Sequence, residues 1–89
     1  MTDVSNTLNA RSARYGTFSV QAAISQTLKN FMRQSPNWDG LDPDMAEALD
    51  MIQHKIARIL NGDPRYADSW HDIAGYAALV DKRLNGEGV

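Results

Sequence analysis

At 89 residues, with 43% hydrophobic and 22% charged side chains, the chain has room for one globular domain and lacks the composition of a disordered or membrane-embedded one. A formal charge of −2 excludes a protein that works by neutralising a long run of nucleic-acid phosphates, so any anion site must be a local cluster. With no cysteine, no apolar leader-like start and no apolar run of about eighteen residues, thiol chemistry is excluded and a soluble, cytoplasmic protein without membrane contact is expected.

Residues 1–17 are rich in Ser, Asn, Thr and Arg without a sustained period, which predicts an irregular N-terminal arm, ordered only by packing on something else. Towards its end Arg11, Arg14, Tyr15, Gly16 and Phe18 set guanidinium groups and aromatic rings beside a glycine, as a docking hook or a ligand lid would. A helical domain, 18–85, is expected next. Its first helix, about 19–34, starts from Ser19 as N-cap and carries Val20, Ile24, Leu28 and Phe31 at helical spacing. Pro36 and the Asp39-Gly40 pair then predict a loop.

The second helix, about 42–61, has the clearest signature: Asp42 as cap, Pro43 in the first position and Asp44 facing the positive end of the dipole. Met45, Leu49, Ile52, Ile56 and Ile59 form one stripe, and Asn61-Gly62 stops the helix. The third, about 68–84, opens near Asp68 or Ser69 and aligns Ile73, Ala77, Val80 and Leu84 as its core stripe, before a flexible tail at 86–89. Leu79 projects about 120° from that stripe, near Tyr76, so a second face also wants a partner. The expected architecture is all-α, three main helices packed as an oligomeric bundle with Tyr76 and Leu79 at the interface of a homo-oligomer; a monomer whose arm covers Leu79 is the alternative.

Opposite the stripe of the second helix lie Glu47, Asp50, Met51, His54 and Arg58, with Lys55 at the flank. His54, Lys55 and Arg58 therefore make a compact basic patch over its last two turns, suited either to an anion or simply to solvent and the helix dipole. Zinc-protease, nucleophile-elbow and phosphate-loop spacings are not present. Glu47 and Asp50 on one helix, with Asp68 and Asp72 on the next, are spaced to hold a magnesium ion with several waters; capping by Asp68 and dipole complementation by Asp72 explain the latter pair without chemistry.

The segments Lys55-Ile56-Ala57-Arg58-Ile59-Leu60 and Asp68-Ser69-Trp70-His71-Asp72-Ile73-Ala74-Gly75-Tyr76-Ala77-Ala78-Leu79, with Arg14-Tyr15-Gly16-x-Phe18 and Ser35-Pro36-Asn37-Trp38, resemble a small phage and prophage domain of uncharacterised function. More distantly, Asp72-Ile73-Ala74-Gly75-Tyr76-Ala77 looks like the helix bearing the terminal aspartate of the MazG-type all-α nucleotide pyrophosphohydrolases. That resemblance implies a helical nucleotide pocket, oligomers of paired helices and magnesium between acidic helices. The departures are Ser69 three residues before Asp72, and Lys55-x-x-Arg58 where acidic ligands would stand; two cations suit phosphate rather than magnesium.

The leading expectation is thus a phage-type nucleotide-binding protein without catalysis or cofactor, sequestering a cyclic-nucleotide immune signal, with Lys55, Arg58 and His54 on phosphate, Tyr15 stacking on a base and Arg14 closing over the ligand. The alternatives are a magnesium-dependent pyrophosphohydrolase using Glu47, Asp50, Asp68 and Asp72, and a module that binds a host protein through Tyr76 and Leu79.

Overall fold

A computed structural model describes residues 2–88; Met1 and Val89, the outermost residues of the expected arm and tail, lie outside the described residues. Four α-helices follow one another: α1 (Thr2–Tyr15), α2 (Phe18–Arg33), α3 (Pro43–Asn61) and α4 (Ala67–Leu84), with a single 3-10 turn (Trp38–Gly40) between α2 and α3. No strand occurs among the described residues, and no helix there is long and apolar enough to cross a membrane.

The expected arm is a helix, and the count is four rather than three. Val4, Leu8, Arg11 and Tyr15 recur at helical spacing on one face of α1, but an arginine stands where a third apolar residue would complete the pattern. Ser, Asn and Thr also have weak helix propensity, so the segment reads as irregular until it finds a surface.

Helix ends follow local chemistry. Thr17, not Ser19, occupies the N-cap of α2, because Gly16 takes the left-handed φ of 77° that turns the chain out of α1. Asp42 and Pro43 begin α3 as expected, although the Asp42 carboxylate makes no cap bond and instead accepts from Arg83 at 2.9 Å. α4 starts at Ala67, which places Asp68 in its first turn, where its carboxylate accepts from the Tyr66 hydroxyl at 3.1 Å. At its far end Gly86, φ 80°, and the amide bonds Gly86 N–H to Arg83 O (3.0 Å) and Glu87 N–H to Lys82 O (2.9 Å) close a Schellman motif, ordering the start of the expected tail.

α3 is the hub, with α2 packed on one flank and α4 on the other, while α1 rests on α2 and α3. The seam between α2 and α3 is polar: Ser25 donates to Gln53 Oε1 at 3.1 Å, and Gln53, buried like Ser25 and Gln21, returns its amide to Asp50 O at 2.8 Å. The other flank is tied by Lys55 Nζ to Asp72 at 3.1 Å and by the Arg83 fork on Asp44.

These flank contacts leave the expected core stripes facing sideways out of the layer. With about 100° per residue, Val20, Ile24 and Phe31 of α2, Met45, Leu49, Ile52 and Ile56 of α3, and Ala77, Val80 and Leu84 of α4 all fall on one side of the three-helix layer. A groove of about 380 Å³ runs along that side between Leu49 and Ile52 of α3 and Val80 and Leu84 of α4. Phe31, Leu84, Val20 and Leu49 are 77%, 59%, 49% and 40% exposed, and among the described residues the only buried apolar ones are Ala48 and Ala57. The stripes were thus read correctly as stripes, but one chain covers them only in part. The opposite side of the layer carries α1, the basic residues of α3 and Leu79.

Candidate functional site

The C-terminal end of α1 is pinned across the C-terminal end of α3. Asn61 Nδ2 donates to Tyr15 O at 2.7 Å and to Thr17 O at 3.0 Å, and the Asp63 N–H donates to Arg14 O at 2.6 Å. Gly16 and Gly62 permit this approach: a Cβ on Gly62 would land on the backbone of Arg14 and Tyr15, and one on Gly16 would land on Asn61. The segment expected as a mobile hook or lid is therefore a latched junction.

The latch gathers cations and rings. Arg58 Cζ lies 4.2 Å from the centroid of Tyr15, Arg11 Cζ is 5.5 Å from the same ring, and Arg14 Cζ is 5.1 Å from the ring of Tyr66. Tyr15 and Tyr66 meet edge to face at 6.0 Å. Gln21 of α2 donates its amide to His54 Nε2 at 3.3 Å, which requires that nitrogen to be unprotonated. Burial lowers the pKa of His54 below its ordinary value, and the nearby charges of Arg58, Lys55, Lys29 and Arg11 lower it further.

Among the described residues Arg11, Arg14 and Arg58 have no carboxylate partner; the ion pairs are Arg33 with Asp50, Lys55 with Asp72, and Arg83 with Asp42 and Asp44. Arg58 Nε is buried without any hydrogen-bond acceptor. An unsatisfied guanidinium donor thus lies close to a histidine whose pKa is lowered first by burial and then by the surrounding cations. Tyr15, whose ring Arg58 covers, lines with Arg11, Ser12, Phe18 and Gln21 a cleft of about 290 Å³, just below the usual range for ligand pockets, of which Arg58 itself is not a lining residue.

Of the residues expected to bind ligand, Arg14, Tyr15, His54 and Arg58 are brought together, while Lys55 is already engaged by Asp72 and its side chain is only 12% exposed. Tyr15 is the last residue of α1, its ring covered by Arg58. Arg11, noted only as part of a hook or lid, joins the site together with Gln21 and Tyr66. Arg11 lies four residues before Tyr15, a spacing that would have placed them on one face had the segment been read as a helix.

The carboxylates expected as magnesium ligands are dispersed in their engagements: Asp50 pairs with Arg33 at 3.3 Å, Asp72 with Lys55, and Asp68 accepts from Tyr66. Glu47 lies beside a groove with Asp44, Tyr76 and Leu79, and no group of three or more metal-ligating side chains occurs among the described residues. Tyr76 and the 51% exposed Leu79 line a further groove of about 370 Å³ with His71 and Asp72, on the same side of the layer as the basic cluster.

A family model described as a domain of unknown function, DUF6378, matches residues 1–84. The chain belongs to that family. No curated protein and no solved structure matches it. The family contributes membership and extent, and the chemistry must come from the residues.

Proposed function

We propose that this DUF6378 chain binds a small phosphate-bearing ligand, a nucleotide in our reading, at the Arg11–Arg14–Arg58 cluster, and does so without turning it over. The observation that carries the proposal is the buried, acceptor-free Arg58 Nε among cations that lack carboxylate partners. An anion placed there would accept from Arg58 and be reached by Arg11 and Arg14, replacing the missing countercharge. A guanidinium bond to an ionised group contributes about 1.5–3 kcal/mol, enough for roughly ten- to hundred-fold in affinity.

The base has a different partner from the one expected. With Arg58 over Tyr15, the ring free to stack is Phe18, 73% exposed and lining the cleft beside Arg11. The small cleft favours a mono- or dinucleotide over an extended strand, in agreement with a net charge of −2. Capture rather than hydrolysis is favoured because Asp72 is engaged with Lys55, Asp68 with Tyr66, and Asp63 with the Arg65 N–H.

Calorimetric titration with linear mononucleotides and cyclic dinucleotides, the latter included for the resemblance to phage domains, tests this. Wild type should bind at least one of them. Arg58→Ala should weaken that binding by tenfold or more, and Lys55→Ala should leave it nearly unchanged. The bound nucleotide should be recovered intact after incubation with magnesium. Equal affinity in Arg58→Ala would remove the site, and product formed with magnesium would replace capture by hydrolysis.

A further inference from the structure

The apolar side of the helical layer lies opposite the basic cluster and plays no part in it. Helices bury their apolar stripes by packing one layer on another, and α2, α3 and α4 form only one layer, with α1 on its polar side. A monomeric protein of 9.9 kDa exposes about 5,200 Å² of surface. This chain exposes 6248 Å². Its radius of gyration of 15.1 Å likewise exceeds the value of about 12 Å for a compact domain of this length.

We infer that the missing layer is a second copy of this chain, packed face to face through the apolar sides of α2, α3 and α4. The excess surface of roughly 1,000 Å² per chain is close to the about 800 Å² that each partner contributes to a stable interface of ordinary size. The face is also fit for self-pairing. Phe31 and Leu84 stand exposed towards opposite borders of the layer, Leu49 and Ile56 lie along its middle, and the charged pairs occupy the flanks between helices. A two-fold axis lying in the interface across the middle of α3 would set Leu49 of each copy against Ile56 of the other and produce a two-layer bundle with a continuous core. This surface differs from the Tyr76 and Leu79 patch, which stays on the outer side of such a dimer. Both basic clusters would also remain outward and open.

The dimer is obligate in this reading, because one copy buries only Ala48 and Ala57 among the described apolar residues and covers the stripes only in part. Sedimentation equilibrium of the full-length chain should give twice the chain mass, and the Tm should fall on tenfold dilution. Leu49→Glu should yield monomer or an unfolded chain, whereas Leu79→Glu should leave the dimer mass unchanged. A wild-type chain that is monomeric and cooperatively folded, with a Tm independent of concentration, would overturn the inference even if Leu49→Glu failed to fold. So would a dimer that survives Leu49→Glu and dissociates with Leu79→Glu.

Discussion

Replacing Gly62 by alanine should detach the end of α1 and dismantle the basic cluster, although Gly62 contacts no part of the proposed ligand. The effect is steric: the added Cβ meets Arg14 O and the Tyr15 backbone, neither of which can rotate away. Relief requires α1 to lift off α3. That loses the bonds from Asn61 Nδ2 to Tyr15 O and Thr17 O and from the Asp63 N–H to Arg14 O, each contributing about 1 kcal/mol net. The Arg58 contact with Tyr15 adds about 0.5–1 kcal/mol. The total, about 3–4 kcal/mol, is a large fraction of the stability of a small domain. Hydrogen exchange reads the outcome directly: the Asp63 amide should be protected in wild type and exchange freely in Gly62→Ala, with helicity lost from α1. An unchanged Asp63 exchange rate in the variant would refute the latch.

His54 supplies a pH test. Its folded pKa lies below the ordinary value, so the unfolded chain binds more protons through that window, and stability should fall as pH drops below about 6.5. A bound anion opposes the cations that depress it, so NMR titration should show the His54 pKa rising on addition of nucleotide, and affinity increasing as pH falls; a pKa unmoved by saturating nucleotide would contradict this. Arg83 holds the Asp44 carboxyl below its usual range by hydrogen bonding, so Arg83→Ala should destabilise at neutral pH. That deficit should shrink as acid protonates Asp44, and chemical denaturation at both pH values checks it. Ser25→Ala should cost about 1–3 kcal/mol by leaving Gln53 Oε1 buried without its donor, measured by urea unfolding.

How much could be read in advance differed from element to element. α3 was legible to its ends because proline, acidic first-turn residues and Asn61-Gly62 all act locally. α1 was not, because its pattern substitutes Arg11 for an apolar residue and its order depends on the Asn61 latch 46 positions away from Tyr15 in sequence. Periodicity identified the apolar stripes but carries no information on which neighbour covers them, so it made cores of faces that the single chain covers only in part. The site shows the same division. His54, Lys55 and Arg58 were visible as a patch on one helix, but the removal of Lys55 by Asp72 and the capping of Tyr15 by Arg58 are contacts between elements. Phe18, read as one ring of a hook or lid, is the first residue of α2 and the exposed ring at the cleft.

The central claim is that a phosphate-bearing ligand binds at the Arg11–Arg14–Arg58 cluster. The most direct test is an amide-resolved NMR titration of the wild-type chain with the nucleotide that binds best. The account predicts saturable shifts at Tyr15, Phe18, His54 and Arg58, with little change at Leu49 and Ile56 on the far side of the layer. Shifts confined to Tyr76 and Leu79, or no saturable shift with any nucleotide, would contradict it.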